Sequence, residues 1–117
     1  MSSYRVNDDG VAKARTMITS TQYVLDSDWS AAQPSPDDGN AAIDRNGWKW
    51  FSDWHLTIDD DASDETKARY AFPFGDFDRV HRSALIAAKQ RAAQNDHADV
   101  ERAADELLEL LDDVRGD

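Results

Sequence analysis

Apolar residues recur at three- and four-residue steps in several stretches of the chain and thin out between them. That pattern predicts helices joined by polar segments. The first helix is expected from about Asp8 to Ser20. Val11, Ala14, Arg15 and Ile18 fall at helical steps there, and Asn7, Asp8 and Asp9 supply cap oxygens and negative charge at its start. A short extended run, Gln22 to Leu25, follows. Residues 26–40 hold two prolines, a glycine and several Asp and Asn, so they read as loop, with Trp29 plugging the core. Residues 40–58 read as helix in two pieces, broken near Asn46-Gly47, with Trp50, Phe51, Trp54 and Ile58 on one face. An acidic loop spans 59–65. Tyr70–Phe74 and Phe77–His81 then flank Gly75-Asp76, which suits a small β-hairpin or extended arm held to an edge by Pro73.

The last third is the most regular. A helix is expected from Ser83 to Gln94 and a second, capped by Asp96, to about Asp113. The second carries a wide stripe of Val100, Ala103, Ala104, Leu107, Leu108, Leu110, Leu111 and Val114. A two-residue joint, Asn95-Asp96, forces the pair to lie antiparallel. The expected fold is mainly α: about four helices, a C-terminal antiparallel helical hairpin and one small β-hairpin or extended arm. It forms a single domain over 1–117, with 26–40 and 59–65 as acidic loops. The N-terminal and tryptophan helices are expected to pack on the C-terminal pair.

Charge adds the environment. The chain carries a formal −11, and its 24 acidic residues comprise 20 Asp and only 4 Glu, against 9 Arg and 4 Lys. Excess Asp, scarce Lys and 17 alanines fit a halophilic protein kept dissolved in strong salt. There the Debye length shrinks to about 3 Å at 1 M and self-repulsion is screened. The alternative is a moderately acidic protein from a GC-rich bacterium. Charge is also segregated: residues 1–25 carry +1, 26–65 carry −9, 66–95 carry +4 and 96–117 carry −7. With no cysteine, disulfides and thiolate metal sites are excluded, and a reducing compartment fits. No leader-like run begins the sequence and no stretch approaches a membrane span, so a cytoplasmic location and no membrane partner are expected.

Few motifs carry chemistry. His55, His81 and His97 stand 26 and 16 residues apart, not on one helical turn, and neither Asp26 nor Asp59 opens a valid calcium loop. No metal and no cofactor are expected. The sequence lacks a nucleophile elbow and a phosphate loop, so enzymatic activity is the lesser expectation and no catalytic residue is assigned. Trp48 and Trp50 point about 200° apart on a helix, so one of them is left to anchor a partner. The candidate binding residues are Lys67, Arg69, Tyr70, Phe72, Asp76, His81 and Arg82, with Trp48. They form a basic, aromatic segment suited to an anion or a negatively charged peptide. Alternatively, these cations pair internally with the loop 59–65 and the acidic last helix. Net charge excludes nucleic acid as a partner, although a compact acidic protein can imitate DNA.

The stretches TQYVLDSDW at 21–29, WHLTID at 54–59 and DETKARYAFPFGDFDRVHRSALIAA at 64–88 resemble a family of short uncharacterised proteins found in actinobacteria and haloarchaea. The terminal AADELLELLDD at 103–113 is a looser match. A weaker likeness links residues 64–113 to segments of tailed-phage head-maturation proteins, without a protease motif. The family resemblance implies no activity and points to Thr66 to Arg82 as the seat of function or structural specificity; the weaker likeness implies an origin among interaction modules. The expected function is a non-enzymatic protein-binding module for an unknown protein partner. The alternatives are a small-molecule enzyme or ligand binder using His81 and Asp76 with Arg69 and Arg82, and an acidic DNA mimic.

Overall fold

Helix α1, Asp8–Thr19, forms where the sequence places it, with Asp8 and Asp9 in its first turn. The computed structural model describes residues 4–115; Met1, Ser2 and Ser3, where a leader would begin, lie outside the described residues, as do 116–117. Asn7 is the N-cap residue, but its side chain does not cap. It donates instead to the carbonyls of Ser52 and His55, at 3.0 and 3.1 Å. The end of α1 closes by two backbone bonds, Thr21 N–H to the Ile18 carbonyl and Gln22 N–H to the Met17 carbonyl. Thr21 takes the left-handed conformation this closure needs, at φ +59°.

Strand β1, Tyr4–Val6, precedes α1, and β2, Tyr23–Val24, follows it. The segment expected to be loop carries structure. Asp28 caps a one-turn helix, α2, over Trp29–Ala32. Helix α3, Pro36–Ser52, opens with a reciprocal capping box between Ser35 and Asp38 and with Pro at its first position. Gly47, at φ +88°, kinks α3 where a break was expected.

The larger departure comes next. Residues expected to continue the helix to Ile58 turn at Asp53-Trp54 and form strand β3, His55–Asp59. The β-branched Thr57 and Ile58 favour extended backbone, and burial along both faces of β3 rewards it for Leu56 as well. Strand β4, Tyr70–Pro73, returns antiparallel to β3 across the acidic loop, with Thr57 opposite Ala71. Strand β1 pairs on the other side of β3, giving the order β1–β3–β4. The expected hairpin or extended arm is reduced to its turn: Asp76 N–H donates to the Arg79 carbonyl, His81 N–H to the Phe74 carbonyl, and Gly75 and Val80 form an isolated bridge. Beyond the turn the arms part, and strand β5, Val80–His81, pairs in parallel with β2.

Helices α4, Arg82–Gln94, and α5, Ala98–Val114, form the expected antiparallel pair. Asp96 is not the cap of α5. At φ +59° it closes α4, with His97 N–H on the Ala92 carbonyl and Asp96 N–H on the Ala93 carbonyl. His97 is left as the first residue of α5's entry. Charges pair across the seam, Arg82 to Asp112 at 3.1 Å and Lys89 to Asp105 at 2.6 Å. The chain is predominantly helical with a small antiparallel sheet. Its core joins Ala14 and Ile18 of α1, Leu56 of β3, Phe74, Val80, Leu85 of α4, and Leu107 and Leu111 of α5. Helix α1 packs on α5 as expected, whereas the tryptophan helix α3 rests on β3. Among the described residues, no helix is long and apolar enough to cross a membrane.

Candidate functional site

The basic residues singled out in the sequence do not form one open patch. Arg69 sits on a 3-10 turn, Lys67–Arg69, just before β4, with its side chain only 19% exposed. It donates to the Ala62 carbonyl at 3.0 Å and pairs with Asp64 at 3.4 Å, so it holds the acidic loop together. Lys67 reaches the Pro36 carbonyl at 2.7 Å. Arg82 forks onto Asp112 through two hydrogen bonds. That bonding, partly opposed by burial, raises Arg82 above its ordinary value and, in turn, lowers Asp112. Tyr70 packs against Trp48, Phe51 and His55, away from Arg82's partners. Of the tryptophans in question, Trp50 joins the edge of the core beside Trp54 and Phe77, while Trp48 stays half-buried outside it.

His81 and Asp76 do come together, in company the sequence did not reveal. His81 is only 4% exposed. Its Nε2 lies 2.8 Å from Asp76 Oδ2, its Nδ1 lies 2.8 Å from Ser27 Oγ, and Ser27 Oγ lies 2.8 Å from Ser83 Oγ. A carboxylate only accepts, so Nε2 carries a proton; in the neutral ring Ser27 then donates to Nδ1 and accepts from Ser83. Burial acts to raise the Asp76 carboxyl, but the backbone N–H of Arg79, the His81 ring and the N–H of Asp78 outweigh it and lower the value. The Trp29 ring leans on His81 at 5.5 Å. Rather than plugging the core, Trp29 is half-buried at the surface, and the polar chain beneath it ties α2 to the start of α4.

Beside that Trp29 wall lies a groove of about 690 Å³. Ala84, Ala87 and Ala88 of α4 and Phe72 and Pro73 of β4 line it, with Tyr4, Arg91, Asn95 and His97 toward the α4–α5 joint. A second groove of about 390 Å³ adjoins it, sharing Gln33 and Pro73, and runs past Phe77, Phe51 and His55 to Lys67. Together they follow the edge strand β4. The His97 ring stands edge-on to Tyr4 and Phe72, at 5.4 and 6.1 Å. His55 donates from Nδ1 to the Phe51 carbonyl at 2.8 Å, and burial pushes its value down to about 4.

Small side chains make this groove. The α4 alanines remove bulk where other helices would project it, and Phe72 holds a left-handed φ of +59°, a strained conformation for an aromatic residue. Pro73 lacks an N–H and Phe72 breaks the regular strand conformation, so β4 is poorly suited to pair with an added strand. The groove is therefore read by side chains.

Its electrostatics set it apart. None of the twenty residues lining the two grooves is Asp or Glu, although about one residue in five of the whole chain is acidic and about four would be expected there. Its fixed charges are Arg91 at one end and Lys67 at the other. Of the predicted site residues, Lys67 and Phe72 line the groove, and Asp76 and His81 support its Trp29 wall. Arg69, Tyr70, Arg82 and Trp48 do not line it. The groove's other residues carry no motif: the α4 alanines fit any helix face, and the residues opposite them come from distant parts of the chain around Tyr4, Trp29 and Phe72. Among the described residues, no group of three or more His, Asp and Glu is arranged to hold a metal ion. No protein-family model, no curated protein and no solved structure matches the chain.

Proposed function

We propose that this protein is a non-enzymatic binding module that takes an extended segment of another protein into the groove along β4. The observation that carries this reading is the absence of carboxylates from the groove of a chain with net charge −11. A surface kept free of the chain's commonest charge does not repel an acidic segment, as the rest of the protein does. Aromatic and proline walls over an alanine floor fit an extended, polyproline-like backbone. Selection of random nonapeptides displayed on phage tests it. Wild type is expected to retain a defined set of peptides. Ala87→Trp, which fills the groove from a half-exposed position, is expected to lose them while keeping its fold. No retained peptide, or equal retention by the folded Ala87→Trp protein, overturns the reading.

A second reading rests on the Asp76–His81–Ser27 chain, whose two 2.8 Å contacts resemble those that activate a serine nucleophile. Neither groove is lined by Ser27, His81 or Asp76, and Trp29 covers the ring, which favours a positioning role. A serine-directed fluorophosphonate that labels wild type, but not Ser27→Ala, would establish the nucleophile.

A further inference from the structure

We infer that the segment bound in the groove presents a carboxylate, and that Arg91 at the α4–α5 joint is the residue that receives it. The inference rests on the groove reading above and names the chemistry of its ligand. Among the described residues the Arg91 guanidinium makes no ion pair, hydrogen bond or ring contact, while Arg5, Lys49, Arg69, Arg82 and Lys89 are each engaged by an acidic partner. Arg15 and Arg45 are also unengaged, but neither lines a groove. Arg91 differs from these two by its place: among the residues lining the grooves it is the guanidinium with no acid of this chain upon it, so it can receive one from outside.

The surroundings suit that role. Arg91 shares its end of the groove with Asn95 and His97, which add polar contacts but no competing carboxylate. Asn95 is itself fixed, its Nδ2 donating to the Arg91 carbonyl at 2.9 Å, so the helix end beneath the guanidinium is braced. The fork of five N–H donors takes a planar carboxylate bidentately. Arg91 and Asn95 are exposed, so the pairing weakens as salt rises and is read at low ionic strength. The carboxylate is that of an Asp or Glu side chain within the segment, because the exposed α4–α5 joint leaves the bound chain room to run on past Arg91.

The test uses the same random nonapeptides in two formats, one displayed internally and one with a free C-terminus. Each is selected on wild type and on Arg91→Gln in 0.1 M KCl. Wild type is expected to enrich Asp and Glu in the internal format; retention of the free-terminus format alone overturns the side-chain source. In an enriched peptide, Glu→Gln or Asp→Asn is expected to weaken binding to wild type up to about fivefold and binding to Arg91→Gln less than about twofold. Neutral peptides that bind wild type as well as acidic ones, and are lost with Ala87→Trp, keep the groove reading and overturn the carboxylate. A carboxylate preference unchanged in Arg91→Gln overturns the assignment to Arg91. No peptide retained by wild type overturns both.

Discussion

Acidification from pH 7 to pH 5 is expected to destabilise this protein through His55, before its carboxylates titrate. The ring starts β3, is 6% exposed, lies against Phe51 at 4.7 Å and Tyr70 at 6.0 Å, and spends its Nδ1 proton on the Phe51 carbonyl. Burial lowers it from 6.5 to about 4, with the carbonyl opposing the shift. Below pH 6.5 the unfolded chain therefore takes up a proton that the folded chain refuses. Stability is lost as pH falls through that window and stops falling on this account near pH 4. Integrating proton uptake between the two values gives a loss of about 2 kcal/mol from pH 7 to pH 5. His55→Gln keeps an amide donor for Phe51 and cannot titrate. Urea unfolding of both proteins at half-unit steps isolates the contribution of His55, because His81 and His97 are common to both. The stability difference between wild type and variant is expected to shrink or reverse toward pH 5 by that amount. Parallel stability curves across the window would show that the ring is not held neutral by burial.

Other perturbations probe the frame around the groove. Leu107→Ala empties a fully buried site between α5 and the sheet and is expected to cost about 3 kcal/mol in urea unfolding. Gly75→Ala would set its Cβ 2.6 Å from the Trp54 ring and onto the Arg79 carbonyl, so a loss of about 2 kcal/mol is expected, seen as a lower melting temperature. A double-mutant cycle on Arg82 and Asp112, whose side chains are 30% and 44% exposed, is expected to give a coupling of at most about 1 kcal/mol that shrinks as KCl rises.

The helical part of this fold was legible because its signals are local. The steps of Ala14 and Ile18, and the stripe from Val100 to Leu111, fix α1 and α5 without reference to anything distant. The pairing of Arg82 with the acidic last helix was one of the two readings of the basic segment. Local pattern failed at 54–58, where Trp54 and Ile58 also fit a helical face. What decides for strand there is pairing with β1 and β4, more than fifty residues apart and twelve onward. The arms 70–74 and 77–81 looked like a hairpin for the converse reason: their turn signal at Gly75-Asp76 is real, but each arm finds a distant partner. Ser35-Pro36-Asp37-Asp38 did carry a readable helix start, obscured by the prolines and acids of its loop-like surroundings. The basic segment was legible as composition only. Which of its cations are engaged depends on Asp64, Pro36 and Asp112 arriving from elsewhere. Ser27 reaches His81 across fifty-four positions, a contact no spacing rule could supply.

Titration of isotope-labelled protein with a nonapeptide selected on wild type, followed by amide and indole chemical shifts, addresses the groove most directly. The expected shifts fall on the Trp29 indole, on Ala84, Ala87 and Ala88, and on Arg91 and His97. Amides of the acidic loop around Asp64 are expected to stay in place. Shifts centred on Arg69 and Tyr70, with the α4 alanines unmoved, would put the site in the basic segment and contradict the groove.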